Sequence, residues 1–220
     1  MRKTFSFTGA KKIIFGNGSL LTLADHIKEL HARNPLVVID KNLAKTDLLE
    51  KVANVLVPAG IKFTVYDKVV PEPPIELADE GAKAAVKDKC DIVVGIGGGS
   101  AMDVAKAIAV IATNKGAAAD YLGLNKVPNP GLPKIMIPTT AGTGSEVTFT
   151  AVFLRKNLKK KEGMNSPYLY PELALLDPEL TLSLPPVPTA HTGLDALCHA
   201  IESYTSVNAS PMSEMFSLEA

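Results

Sequence analysis

Asp91-Ile-Val-Val-Gly-Ile-Gly-Gly-Gly-Ser100 carries the clearest structural signal in the chain. Its apolar half, 91–96, predicts a buried parallel strand, and residues 100–113 predict a helix directly after the glycines. Glycines let the backbone approach a phosphate, and the helix N-terminus offers free N–H groups and positive partial charge. We expect Ser100 and Asp103 to cap this helix as an S-x-x-D pair. The alternative is a tight strand–helix turn that binds nothing.

The glycine run departs from the dinucleotide fingerprint G-x-G-x-x-G in two ways. Ser100 occupies the place of the third glycine. The acidic residue that would bind a ribose normally follows the glycines by about 20 residues. Here the candidate, Asp40, precedes them at the end of the predicted strand 36–39. Taken alone, the run indicates a phosphate site rather than a particular nucleotide.

Around this run, strand-like and helix-like segments alternate. Residues 62–66 predict a further strand and 75–88 a helix with one apolar face; the remaining segments are a helix at 43–57 and strands at 135–137 and 151–154. This order predicts an α/β fold with a Rossmann-like parallel sheet.

Near residue 185 the alternation of strand-like and helix-like segments ends, and a proline-rich stretch is followed by a helical pattern. Leu184-Pro-Pro-Val-Pro188 is interpreted as a linker, followed by a helix at 189–204 and an apolar helix beginning at 212. We therefore expect one α/β domain at 1–185. Residues 186–220 would be the incomplete beginning of a second, helical domain, with an exposed apolar face at 189–220.

Composition excludes several classes of function. Lysine and arginine total 23, as do aspartate and glutamate, and this balance argues against nucleic-acid or membrane-surface partners. The two cysteines, Cys90 and Cys198, supply no disulfide framework, and no apolar run is long enough to span a bilayer. We expect a cytoplasmic protein.

Two further segments carry candidate chemistry. Pro138-Thr-Thr-Ala-Gly-Thr-Gly-Ser-Glu146 follows a strand, and its hydroxyls suit the ribose and phosphates of a nucleotide; a solvated turn is the alternative. Asp195 and His199 lie four residues apart on one helix face and could share a divalent ion. A simple ion pair is the alternative. His191 lies about 12 Å from His199 along the axis, too far to bind the same ion.

Together, these segments resemble the iron-containing (group III) alcohol dehydrogenase family. The resemblance covers essentially the whole chain and rests on GIGGGSAMDVAKAIA (95–109), PTTAGTGSEVT (138–148), PELALLDPELTLSLP (171–185) and TGLDALCHAIESYTS (192–206). It implies a metal-dependent enzyme that transfers hydride between a small primary alcohol or aldehyde and NAD(H). It assigns dinucleotide binding to the α/β domain at 1–185 and metal binding to the incomplete helical domain at 186–220. It also implies a bound Fe²⁺, or Zn²⁺ in its place, and a homo-oligomer at full length.

The resemblance also implies a role for individual positions. Asp195 and His199 match two of the family's four metal ligands. Asp40 would lie near the adenosine ribose, where a carboxylate favours NAD over a 2′-phosphate. The other implied cofactor contacts are Gly98, Gly99, Ser100, Thr139, Thr140, Thr143, Thr148, Lys161 and Leu180.

This sequence departs from the family in two places. Pro71-Glu-Pro-Pro74 stands where the family often has Pro-Asn-Pro-Thr, which puts the asparagine contact to the cofactor in doubt. No histidine follows His199, whereas the family implies two more histidine ligands, so we expect the 220-residue chain to be incomplete and inactive alone. No side chain in it stands out as a general base. The alternatives are an enzyme similar to glycerol dehydrogenase or dehydroquinate synthase, or a non-catalytic nucleotide-binding fragment.

Overall fold

The computed structural model describes residues 4–156 and 158–220, in which strands and helices alternate up to about residue 110. The strands are β1 (Ile13–Phe15), β2 (Pro35–Asp40), β3 (Thr64–Val69), β4 (Ile92–Gly97), β5 (Gly123–Leu124), β6 (Lys134–Pro138), β7 (Thr150–Arg155), β8 (Lys160–Asn165) and β9 (Leu173–Leu176). The α-helices are α1 (Leu23–Glu29), α2 (Leu48–Leu56), α3 (Glu76–Lys87), α4 (Gly99–Ile111), α5 (Pro186–Thr205) and α6 (Pro211–Glu219).

The main sheet has six strands in the order β1-β9-β6-β4-β2-β3, and every pairing is parallel. The five strands after β1 follow a doubly wound order, which reverses direction between β2 and β4. In such sheets ligands bind outside the carboxyl ends of the strands at that switch point. Asp40 closes β2 and Gly97 closes β4, so both stand at this place. The predicted α/β fold with a parallel sheet is confirmed.

Alternating side chains of the central strands build one core on each face of the sheet. Leu36 and Val38 of β2 face the core formed with α3 and α4, whereas Val37 and Ile39 face the core formed with α1 and α2. Because both faces are covered, β2, β4 and β6 are almost continuously buried. Their unbroken apolar runs are typical of parallel strands.

A second sheet, ordered β5-β8-β7, stands beside the main one. The strand predicted at 151–154 is confirmed as β7, and it pairs antiparallel with β8. Strand β8 begins at Lys160. The second sheet therefore places Lys161 on a fixed strand.

The predicted linker at 184–188 is wrong, because α5 begins at Pro186. A proline in the first turn costs nothing, since its missing N–H would have no helical partner there. Neither α5 nor α6 has a fully buried residue, and the apolar side chains of α5 are exposed as predicted: Leu194, Leu197, Ile201 and Tyr204. Within the described residues, no helix is both long and apolar enough to cross a membrane.

Asp177 ties the two ends of the main domain together. Its buried carboxylate accepts backbone N–H groups from Gly18 at 3.1 Å, Leu20 at 3.0 Å and Glu179 at 3.1 Å. We expect Asp177→Ala to lower the free energy of unfolding by about 2–3 kcal/mol, because three donors would lose a charged acceptor. Urea denaturation measures this loss. Asp47→Ala, which removes only a surface pair with Lys51, should change it by less than about 1 kcal/mol.

Candidate functional site

The turn between β4 and α4 holds glycine in a conformation that other residues avoid. Gly97 has φ +143°, and a Cβ there would lie 2.9 Å from the Cβ of Ala101. Gly98 is the N-cap of α4 and has extended backbone angles. The first N–H groups of α4 therefore open onto the carboxyl edge of the sheet at the switch point.

The predicted cap by Ser100 and Asp103 is wrong. Helix α4 begins one residue earlier, at Gly99, and no side chain caps it. The carboxylate of Asp103 is engaged elsewhere, because it accepts the hydroxyl of Ser145 at 2.6 Å and the N–H of Val152 at 2.9 Å.

The second loop, residues 139–148, lies directly against the glycine turn. The N–H of Thr139 donates to the carbonyl of Gly97 at 3.0 Å. A Cβ on Gly99 would lie 3.1 Å from the side chain of Thr143. The Oγ1 of Thr140 is buried without a hydrogen-bond partner. An unpartnered buried hydroxyl is costly, so this atom marks a place for a polar ligand.

These features fit a dinucleotide. The glycines permit close approach, the start of α4 offers N–H groups to a pyrophosphate, and Thr140 supplies a free hydroxyl. Asp40 stands half-buried at the end of β2, one strand away from the glycine turn. One oxygen of its carboxylate accepts the N–H of Asn42 at 2.7 Å. The other has no hydrogen bond to a described residue.

Two clefts flank the glycine turn and divide the predicted site residues between them. The larger, of about 1180 Å³, contains residues from both loops and from α5; the predicted residues that line it are Gly99, Ser100, Thr143, Thr148, Lys161, Asp195 and His199. The smaller, of about 490 Å³, is lined by Thr139 and Leu180 together with Asp47 and Lys51. Asp40, Gly98 and Thr140 line neither cleft.

Helix α5 brings Asp195 and His199 to the second loop. A Cβ on Gly142 would lie 2.1 Å from the carbonyl oxygen of Thr192, so the helix packs directly on the loop backbone. Asp195 Oδ1 and His199 Nε2 are 3.9 Å apart, too far for a hydrogen bond, and both side chains are about half exposed.

This pair fits part of a metal site. Two ligands about 2.1 Å from one tetrahedral ion are about 3.4 Å apart, so a small side-chain movement would let both bind. Among the described residues, no group of three or more His, Cys, Asp or Glu could hold a metal. The pair thus offers one carboxylate and one imidazole to an ion.

Lys161 forms an ion pair that the sequence did not suggest. Its Nζ lies 2.9 Å from Oε1 of Glu72, and both side chains are exposed at the wall of the larger cleft. Glu72, with φ +51°, is the residue that replaces the family's asparagine. The acidic side chain therefore faces the lysine that the resemblance assigns to the cofactor.

Lys106 was missed entirely by the sequence reasoning. It is fully buried in α4, and burial lowers the pKa of its ammonium while the nearby Asp103 carboxylate opposes that change. Burial also raises the pKa of Glu146 in the second loop. The available signal was a lysine inside the apolar run Ala101–Ile111, three residues after an aspartate.

The chain matches known proteins along almost its whole length. The family of iron-containing alcohol dehydrogenases matches residues 10–178, and the C-terminal family of Fe-containing alcohol dehydrogenases matches residues 189–220. Long-chain-alcohol dehydrogenase 1 of Geobacillus thermodenitrificans is 45% identical over 93% of this chain and 52% of its own length. The chain spans about half the length of the curated relatives it matches.

Solved structures of larger proteins share this fold. A 1,3-propanediol oxidoreductase superposes with a TM-score of 0.94 at 33% identity, covering 99% of this chain and 57% of its own. A sulfoacetaldehyde reductase from Bifidobacterium kashiwanohense, solved with NAD⁺, has a TM-score of 0.91 at 34% identity and covers 98% of this chain and 57% of its own. By its sequence and by its fold, the chain belongs to the iron-containing alcohol dehydrogenase family.

Proposed function

We propose that the protein containing this chain interconverts a small primary alcohol and its aldehyde with NAD(H), using a bound divalent metal ion. The observation that carries the proposal is one cleft. Its wall joins the first turn of α4 and the second loop to Asp195 and His199 of α5. A nucleotide held by the first two would therefore share its cleft with an ion held by the pair.

The dinucleotide would cross the glycine turn from the smaller cleft to the larger. Leu180 and Thr139 would contact the adenosine half, and the start of α4 would bind the pyrophosphate. Thr143, Thr148 and Lys161 would line the nicotinamide half. The free carboxylate oxygen of Asp40 suits a ribose hydroxyl and repels a 2′-phosphate, which favours NAD over NADP. NAD supplies the ring that accepts the hydride.

Asp195 and His199 would hold the metal, and the family points to iron. A divalent ion supplies Lewis acidity that stabilises negative charge on the alcohol oxygen. The chain itself positions these two side chains, because α5 packs on the second loop at Gly142 and holds Asp195 and His199 beside that loop. Because no three donors cluster among the described residues, we propose that residues 1–220 alone bind NAD without turnover.

Chelation tests this function. With protein expressed from the complete gene, EDTA is expected to abolish alcohol-dependent NADH formation, and added Fe²⁺ or Zn²⁺ is expected to restore it. NADH binding, followed by its fluorescence, should stay within about twofold, because the glycine turn needs no metal. Turnover that survives complete metal removal would refute the metal-dependent reaction. Binding without any turnover would favour a nucleotide-binding protein.

We further propose the division of the chain and its setting. Residues 1–185 would form the dinucleotide-binding domain and 186–220 would begin the helical metal-binding domain, which is supported by the start of α5 at Pro186.

The free cysteines Cys90 and Cys198 suit a reducing cytoplasm. The exposed Ile13 and Phe15 on the edge strand β1 favour a homo-oligomer, which light scattering would measure.

A further inference from the structure

Lys106 is a charged side chain with no exposed surface, in a helix whose neighbouring residues are apolar. Burying an ammonium group is unfavourable unless all its donors are satisfied and an opposite charge is close. The structure meets both conditions. The hydrogen-bond partners of Lys106 therefore indicate the role of this buried ammonium group.

All partners of the Lys106 ammonium other than Asp103 come from one segment. Nζ donates to the carbonyl of Ser145 at 2.9 Å, to Oγ1 of Thr148 at 3.3 Å and to the carbonyl of Thr150. Oδ1 of Asp103 lies 3.2 Å away and supplies the negative charge. The ammonium thus fastens the segment 145–150 to α4.

Asp103 holds the same segment at two more points. Its Oδ1 accepts the hydroxyl of Ser145 at 2.6 Å, and its Oδ2 accepts the N–H of Val152 at 2.9 Å. Since Asp103 and Lys106 are one turn apart, they form a clasp that holds residues 145–152 against one face of α4.

The clasp acts on the two loops that would hold the cofactor. The first turn of α4 carries Gly99 and Ser100, and Thr143 lies just before the clasped segment, at 3.1 Å from the position of a Gly99 Cβ. Thr148 is itself a partner of Lys106. At such close spacing, a movement of the loop by about 1 Å would disturb every contact to a ligand between them.

We propose that Lys106 is a positioning residue for the dinucleotide: through Asp103, Ser145 and Thr148 it sets the spacing between the glycine turn and the second loop. This inference rests on the proposed NAD(H) site. A purely structural buried ion pair would stabilise the fold without affecting cofactor affinity beyond its effect on folding. For folded protein without Lys106, the positioning role therefore predicts weaker NADH binding, whereas a purely structural role predicts unchanged NADH binding.

The test uses protein from the complete gene and NADH as the probe. Lys106→Met keeps an unbranched side chain and removes the three donors. We expect the NADH dissociation constant, from fluorescence titration of folded protein, to rise roughly tenfold. The KM for NAD should rise by a similar factor, with kcat at saturating NAD unchanged. Val52→Ala in α2, on the opposite face of the sheet, destabilises the core by creating a cavity and should leave NADH affinity within about twofold.

Ser145→Ala provides a milder variant that keeps Lys106 in place. It removes only the hydroxyl that donates to Asp103, and we expect NADH to bind about threefold more weakly. The effects of Lys106→Met and Ser145→Ala should not add in the double variant, because both act on one network. If Lys106→Met does not fold, Ser145→Ala still tests the clasp through Asp103, and unchanged NADH affinity in that variant would overturn the inference.

Unchanged NADH affinity in the folded variants would overturn the positioning role. So would a loss in Lys106→Met that Val52→Ala reproduces at equal loss of stability. Failure of the unmodified protein to bind NADH would instead overturn the proposed function, and the inference with it.

Discussion

Replacing His199 with alanine is expected to lower alcohol-dependent NADH formation by about 10³-fold or more. Metal ions stabilise charge in such reactions by several kcal/mol, and each 1.4 kcal/mol or so corresponds to a factor of ten in rate. His199 is one of the two predicted metal ligands, and both line the larger cleft. Removing its imidazole leaves Asp195 as the only predicted ligand on α5.

Three measurements separate loss of metal from loss of fold. Metal content by elemental analysis should fall in His199→Ala, and excess Fe²⁺ should restore only part of the activity. NADH affinity should stay within about twofold, because the imidazole lies on α5 and not on the glycine turn. Unfolding should change little, since His199 is more than half exposed and makes no short hydrogen bond.

His191→Ala is the matched control. This histidine is exposed, lies two turns earlier on α5 and lines neither cleft. It should keep full activity and metal content. If His199→Ala keeps the activity and the iron content of the control, Asp195 and His199 do not bind the metal. The nucleotide site would then be the only part of the proposal that remains.

The sequence predicted the glycine turn and four strands of the main sheet, β2, β3, β4 and β6, for a local physical reason. It did not predict the short strands β1 and β9 that complete this sheet. Strands such as β4 are buried on both faces, so each appears in the sequence as a continuous apolar run, and the run marks the position of the strand. The place of Asp40 at the carboxyl end of a strand also followed from the run itself. Which strands become neighbours did not, because strand order depends on long-range packing.

The errors arose where tertiary contacts override local preference. The prolines at 184–188 indicated a linker, but their positions suit a helix start, and α5 continues from them over the second loop. Ser100 and Asp103 have the spacing of a cap, but Asp103 is held by Ser145 and Val152, which lie about 40–50 residues away in sequence. Such partners are invisible without the fold, and the role of Lys106 was hidden for the same reason.

Gly98→Ala should raise the NADH dissociation constant by about 100-fold while leaving the protein folded. With φ −77° and ψ −177°, the backbone of Gly98 suits alanine. The new Cβ would lie 3.5 Å from Thr140, an ordinary contact. Alanine restricts the unfolded chain but is a poorer N-cap than glycine, so stability should change by less than about 1 kcal/mol. The methyl group would nevertheless stand beside the unpartnered Thr140 hydroxyl at the N-terminus of α4. In the proposed site, the pyrophosphate would approach the backbone most closely there.

Two other glycines sharpen this prediction. Gly193→Ala on α5 places its Cβ in open space, and NADH affinity should be unchanged. Gly95→Ala would bring its Cβ to 2.6 Å from that of Ala105 inside the core, so this variant should lose stability before it loses affinity. Thermal unfolding and NADH titration of the three variants therefore distinguish a methyl group that blocks the ligand from one that disrupts the core. If Gly98→Ala binds NADH as tightly as Gly193→Ala, the pyrophosphate does not lie on this turn, because an added methyl group there would be in its way.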